Sequence, residues 1–295
     1  MHTKLTATTL LLSIVYFALC SPAIGQNKGR QKIPAPGKGQ AETTQWWIAV
    51  RGGVNLTSAE VSNQYFVFSN TQAGVEPHNK QYGSFNRVGT HFGFQAGFEF
   101  LPHLSVHLLP SYSTYLFDYE SAFNWASSDN PLQRIQIEDL HTQKLHYIEL
   151  PLIIRYELLS GKFKPFIQAG GYVGRLLNAV KDVESRNTDF ASGAESRIEV
   201  NTYSTGIEPY LINTNLGIMG GVGMTYNVGN ARIGLEVNYK MGMNNINKPA
   251  NRFMESPQVS GMYDVTDDFS IRHLELAFSC LIPLKFITSK DYIPL

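Results

Sequence analysis

Apolar and polar residues alternate with a period of two along most of the chain after about residue 45. The clearest stretch runs from Ala231 to Met243, where every second residue is apolar and the residues between include Arg232, Glu236 and Lys240. Successive side chains of a β-strand point to opposite faces of the sheet. The pattern therefore predicts a strand with one apolar and one polar face.

Seven further segments repeat the alternation, so we predict eight strands. Short links alternate with long ones along the chain. The short links are Leu101-Pro102, Ser160-Gly161-Lys162 and Gly229-Asn230, and the long ones lie near 59–87, 120–140, 181–212 and 245–268. Outer-membrane barrels have short periplasmic turns and long extracellular loops. The chain is therefore predicted to be all-β: an eight-stranded antiparallel up-and-down transmembrane β-barrel with short periplasmic turns and four long extracellular loops.

Alternation alone does not say which face meets lipid, because soluble lipocalin-like barrels alternate too, with their apolar residues turned inward. Three features favour the membrane. The polar faces are rich in Gly, Ser and Asn, aromatic residues such as Trp46, Tyr156 and Tyr239 lie toward segment ends, and several segments exceed the roughly 9–11 residues that a tilted strand needs to cross a bilayer. A soluble ligand-binding barrel is the alternative.

The N-terminus has the pattern of a secretory signal peptide. Lys4 precedes an apolar run over 10–19, and small residues follow around Ala23-Ile24-Gly25. We expect cleavage after Gly25 or Ala23 in preference to a retained anchor helix or a lipoprotein site at Cys20. The predicted organisation is a signal peptide (1–25), a flexible periplasmic linker (26–45), the outer-membrane barrel (46–287) and a C-terminal tail (288–295).

Composition excludes several classes of function. Basic and acidic residues are equal in number, 24 each, and the basic residues are scattered, so a nucleic-acid groove is not expected. Cys280 would be the sole cysteine after signal cleavage, which rules out an internal disulfide and a cysteine metal cluster. The eight His residues show no metal-ligand spacing. We therefore expect no cofactor and no metal.

Three segments resemble the PorT-like outer-membrane β-barrel proteins of the Bacteroidota. They are Gly52-Gly53-Val54-Asn55-Leu56-Thr57, His146-Tyr147-Ile148-Glu149-Leu150-Pro151-Leu152 and Lys164-Pro165-Phe166-Ile167-Gln168-Ala169-Gly170-Gly171. The resemblance spans roughly Trp46 to Phe286. It implies an integral, porin-like barrel in the outer membrane of a diderm bacterium, and it implies little about activity.

If the polar faces line the lumen, they bring together charged residues of both signs. These are Arg51, Glu99, Glu149, Arg155, Glu157, Arg232, Glu236, Lys240 and Glu275. The interior of an eight-stranded barrel is only about wide enough for its own side chains, so we predict a structural network that plugs the lumen. We expect Glu149 to pair with Arg51 or Arg155, and Pro151 to mark a bulge or bend.

No catalytic motif is evident, and we predict a non-enzymatic protein whose binding residues are not identifiable from the sequence. An enzyme would have to use residues such as Ser111, Ser113, His141 and His146. Aromatic residues in the long loops favour a surface-binding role or contact with an envelope protein partner. They are Tyr65, Phe66, Phe68, Phe123, Trp125, Phe190, Phe253 and Tyr263. A small pore for ions or solutes is the alternative, and outer-membrane lipid is the expected surrounding.

Overall fold

The computed structural model describes residues 45–66, 71, 80–190, 196–253 and 264–284, with the backbone alone for 196–201. The described strands are β1 (Gln45–Asn63), β2 (Lys80–Tyr82), β3 (Ser84–Leu101), β4 (Leu104–Leu108), β5 (Ser111–Ala126), β6 (Arg134–Glu157), β7 (Phe163–Asp189), β8 (Ser196–Gly206), β9 (Thr214–Val228), β10 (Ala231–Gly242) and β11 (Asp268–Pro283). The signal peptide, the linker up to residue 44 and the C-terminal tail lie outside the described residues.

Antiparallel pairing closes the sheet into a ring of eight strands. β1 pairs with β3 on one side and with β11 on the other, and β11 continues through β10 and β9 to β7 and β6. β4 and β5 together form the third strand of the ring, between β3 and β6. Closure leaves no sheet edge in the membrane, where unpaired backbone groups could not find water. The predicted fold class is confirmed.

The connections alternate in length as predicted. Residues 102–103, 158–162 and 229–230 make tight turns at one end of the barrel, and Gly229 has a φ of 57°, which glycine adopts without steric cost. At the other end the connections are shorter than predicted, because the strands run further. Between β5 and β6 only 127–133 lie outside the strands, since the two strands satisfy each other's backbone hydrogen bonds up to Ala126 and Arg134.

The third strand is interrupted at Leu109-Pro110, which was predicted to lie within one continuous segment. The carbonyl of Pro110 still accepts a hydrogen bond from the Phe94 amide at 2.9 Å, and the Leu109 amide donates to the Pro151 carbonyl at 2.9 Å. Pro151 itself pairs in register with Tyr172, and the ladder shifts instead between His146 and Tyr147. The bulge predicted at Pro151 is therefore wrong: the proline lies beside the break in its neighbouring strand, where no ladder donor is needed.

A belt of exposed apolar side chains surrounds the barrel, and we call it the lipid belt. On β6 it consists of Ile148, Leu150, Leu152, Ile154 and Tyr156. Phe94 is 67% exposed and Val50 is 65% exposed, whereas Arg51, next in the chain, is 2% exposed and faces the lumen. This is the reverse of a lipocalin-like barrel, so the soluble alternative fails. Among the described residues no helix is long and apolar enough to span a membrane.

Several strands continue well past the lipid belt at the end with the longer connections. β6 begins at Arg134, fourteen residues before Ile148, which corresponds to roughly 45 Å along the strand at ~3.3 Å per residue. β5 and β7 accompany it, and β8 pairs with the outer part of β7. The result is an extramembrane sheet of four strands, which we call the extracellular sheet.

Candidate functional site

A cluster of six charged side chains fills the middle of the lumen. Nε of Arg51 lies 2.6 Å from Glu236, and the same guanidinium also pairs with Glu275. Nη2 of Arg155 lies 2.8 Å from Glu236, and Nζ of Lys240 lies 2.8 Å from both Glu149 and Glu275. Each of these side chains is 3% exposed or less. Three cations and three anions make this central cluster neutral, which burial of charge in a low dielectric requires.

The partner predicted for Glu149 is wrong. Its carboxylate pairs with Lys240 of β10 and accepts a hydrogen bond from Ser113 at 3.3 Å, while Arg51 and Arg155 share Glu236. Which strands lie opposite each other across the lumen decides the pairing, and the order of residues in the chain does not reveal it.

The remaining predicted lumen residues form a second group near the periplasmic turns. Arg232 lies 3.2 Å from Glu157 and 3.9 Å from Glu99, and its guanidinium stacks on the Trp47 ring at 3.9 Å. Lys164, which the sequence analysis did not single out, also pairs with Glu157 at 2.6 Å. All nine residues predicted for the lumen therefore take part in ion pairs in the structure.

Above the central cluster the lumen is closed by an apolar layer that the sequence analysis missed. Tyr115, Phe117, Leu145, Tyr147 and Phe269 belong to it and are 1% exposed or less. These side chains share the inward face with the charged residues, and alternation cannot distinguish a buried apolar residue from one that faces lipid. Charged and apolar layers together fill the interior along the described strands.

A further ionic cluster lies beyond the lipid belt, at the extracellular mouth. Asp264 pairs with Lys80 at 2.8 Å and with Lys181, and it accepts a hydrogen bond from Tyr119 at 2.6 Å. Burial would raise the pKa of Asp264, but the ammonium groups of Lys181 and Lys80 outweigh it and hold that pKa below its usual range. Burial, aided by Lys181, lowers the pKa of the nearby His141 to about 3.

Next to this cluster is a cavity of about 310 Å³ on the inward side of the extracellular sheet, which we call the outer pocket. It is lined by Phe66, Lys80, Ser121, Ala122, Phe123, Trp125, Ile135, Ile137, Asp139 and Asp264. The pairings Ser121 to Asp139, Phe123 to Ile137 and Trp125 to Ile135 place successive rows of the β5–β6 hairpin on its wall.

Three of the predicted loop aromatics, Phe66, Phe123 and Trp125, thus line one pocket. Tyr65 instead hydrogen-bonds to Asp268 at 3.0 Å and packs against Arg252, and the ring of Phe190 lies beneath Arg134. Phe253 is 74% exposed. Phe68 and Tyr263 lie outside the described residues.

The candidate catalytic residues do not converge. Ser113 bonds to Glu149, while His146 contacts the Tyr112 hydroxyl at 2.7 Å. Ser121 and His141 do lie 2.8 Å apart, but Nδ1 of His141 has no hydrogen-bond partner among the described residues, and a pKa of about 3 makes the imidazole a weak base. Within the described residues, no group of three or more His, Cys, Asp and Glu side chains is placed to hold a metal ion.

The fold and its filled interior define a class, the integral outer-membrane β-barrels. The family model for "outer membrane protein beta-barrel domain" matches residues 34–248, or 215 of the 295 residues. The chain belongs to this family. No match to the chain is found among the curated proteins.

Two solved structures are similar to the chain at low identity. One is Neisserial surface protein A, with 13% identity, 82% of this chain and 99% of that chain covered, and a TM-score of 0.31. The other is Ail, the attachment invasion locus protein of Yersinia pestis, crystallised with the heparin analogue sucrose octasulfate, with 10% identity, 81% and 99% coverage, and a TM-score of 0.30.

Proposed function

We propose that this outer-membrane barrel is closed to solutes, has no enzymatic activity, and acts by binding at its extracellular end. The observation that carries the proposal is the filled interior. Six buried charges in the central cluster neutralise one another, and the apolar layer above them leaves no polar route toward the mouth. The part of the molecule available to a partner is then the extracellular sheet.

The extracellular sheet supports the binding role. Its outward face carries polar residues such as Glu120, Glu138 and Glu184, and its inward face carries the aromatic side chains of the outer pocket. Aromatic side chains beside a polar rim are typical of binding surfaces. Contact with an envelope protein through this sheet belongs to the same proposal.

Export and origin complete the proposal. The Lys4 and 10–19 pattern favours a signal peptide removed after Gly25 or Ala23. The Tyr147-Ile148-Glu149-Leu150-Pro151 stretch favours a PorT-like barrel of the Bacteroidota. Mass spectrometry of the N-terminus of the protein purified from outer membranes tests the cleavage, and a retained residue 1 would contradict it.

Conductance across a planar bilayer tests the closed barrel. We expect no steady unit current from the purified protein, with insertion checked in parallel by the mobility shift of unboiled against boiled protein on a gel. A reproducible unit current from inserted protein would replace the closed barrel by the alternative, a small pore.

A further inference from the structure

The outer pocket is an apolar cavity in a place where no lipid covers it. Trp125 and Ile135 lie twelve or more residues along their strands from the nearest residues of the lipid belt on β6. A cavity of about 310 Å³ lies at the lower end of the range for small-molecule sites. Its size suits one compact organic molecule.

The ammonium group of Lys80 at the edge of the pocket is already saturated. Its Nζ lies 2.6 Å from the Val265 carbonyl, 2.8 Å from Asp264 and 3.0 Å from Asp267. A lysine ammonium has three hydrogens to donate, and these three acceptors use them. Lys80 is therefore not available to hold an anionic ligand.

Asp139 has the opposite property. Its Oδ1 is buried and finds no hydrogen-bond donor among the described residues, although the residue lines the pocket. A buried carboxylate oxygen without a donor is costly, and a charged donor satisfies it best. The group that the pocket lacks is a cationic hydrogen-bond donor.

The charges around the pocket have the matching sign. Lys80 and Lys181 supply two positive charges against three negative charges from Asp139, Asp264 and Asp267. The faces of aromatic rings also attract cations, and Phe66, Phe123 and Trp125 contribute such rings.

We infer that the outer pocket binds a small organic amine, with its ammonium group on Asp139 and its aromatic or branched apolar body between Trp125, Phe123 and Ile137. This inference rests on the proposed binding role of the extracellular end. It names the site and the ligand class for that role.

Fluorine NMR with para-fluorophenethylamine tests the inference on the folded full-length protein in detergent micelles. The neutral para-fluorophenethyl alcohol is the comparison probe, and protein-free micelles give the background. Asp139→Asn keeps the shape of the side chain and removes its charge. Glu138→Gln is the matched control, because Glu138 is the next residue of the same strand, carries the same charge and is exposed.

We expect the amine to bind the native protein and the Glu138→Gln variant equally, and to bind Asp139→Asn about tenfold more weakly or worse, as loss of a charge-assisted hydrogen bond implies. The alcohol should distinguish these three proteins little. Equal amine binding to Asp139→Asn, or no amine binding by native protein that shows the gel mobility shift, would overturn the inference.

A second variant guards against misfolding. Trp125→Ala removes part of the apolar wall and should weaken the amine and the alcohol alike, whereas unchanged binding of both would place the probes elsewhere and overturn the site. The result is separable from the conductance test. A closed barrel that does not bind the amine removes only this inference, and an amine-binding barrel that conducts removes only the closed state.

Discussion

At the scale of single residues, the barrel interior depends on charge balance more than on any one contact. Lys240 neutralises Glu149 and half of the demand of Glu275, and all three side chains are at most 1% exposed. Removal of one member of a buried ion pair leaves the other charge uncompensated, which costs far more than an exposed pair is worth.

Lys240→Met should lower the free energy of unfolding by about 3–5 kcal/mol. Urea titration of the protein refolded into lipid vesicles, followed by tryptophan fluorescence, measures the change. Lys162→Met, in an exposed turn, is the control and should stay within about 0.5 kcal/mol. Adding Glu149→Gln to Lys240→Met restores neutrality and should recover part of the loss. If Lys240→Met is as stable as the control, the central cluster is not a structural plug.

His141 gives the mouth of the barrel a pH dependence. Its pKa falls from 6.5 to about 3 because it is buried, so the folded protein holds it neutral while the unfolded chain protonates it first. The stability that this residue contributes is complete above about pH 6.5 and is lost as the pH falls from there toward 3.

Replacing His141 by Gln should therefore flatten the pH dependence. The free energy of unfolding of the native protein should decline relative to the variant by up to about 1.4 kcal/mol per pH unit below about pH 6. Unfolding titrations of both proteins at about pH 7.5, 6 and 4.5 measure this difference. Parallel curves would show that His141 is protonated as readily in the folded barrel as in the unfolded chain.

At the scale of elements, the strands have two parts with opposite patterns. Within the lipid belt the apolar side chains face outward and the charges inward, as on β6 from Ile148 to Tyr156. Beyond the belt the outward side carries Glu138 and Lys144, while Ile137 and Ile135 face the pocket. The surroundings change from lipid to water, and the favourable outward side chain changes with them.

The outer part of the β5–β6 hairpin should therefore be dispensable for insertion. Replacing residues 121–139 by Asn-Gly joins Glu120 to Leu140, which face each other in the native ladder. The shortened chain should still reach the outer membrane and show the gel mobility shift, because its lipid belt and lumen are untouched, while it should lose amine binding. A shortened chain that no longer inserts would make the extracellular sheet part of the folding unit.

At the scale of the whole molecule, an even number of strands fixes which end is outside. The tight turns, including 158–162, belong in the periplasm, and the β5–β6 connection belongs at the cell surface. Cys280 is the free cysteine of the described part, so a Cys280→Ser background allows one new thiol at a time to be placed.

In that background, Asp129→Cys should react with a membrane-impermeant maleimide on intact cells. Lys162→Cys, exposed at the opposite end, should react only after the outer membrane is permeabilised. Both variants should show the native gel mobility shift. Labelling of the two positions in the reverse order would mean that the barrel is inserted with its extracellular sheet in the periplasm.

The sequence by itself determined the strand number, the alternation of connection lengths and the nine charged residues of the lumen. Each of these is written in a local pattern: a period of two, a turn dipeptide such as Gly229-Asn230, or a charge within an apolar segment. Local patterns survive in one dimension because β-strand geometry alone produces them.

Only the tertiary structure decided which charges meet, what closes the lumen and where a pocket lies. Glu149 pairs with Lys240, 91 residues away, because the closed ring brings β6 and β10 to face each other across the lumen. Tyr115 and Phe117 lie inside while Phe94 faces lipid, although alternation treats them alike. Asp139 and Lys80 share a pocket for the same reason: contacts across a closed barrel depend on register and closure, which are properties of all the strands together.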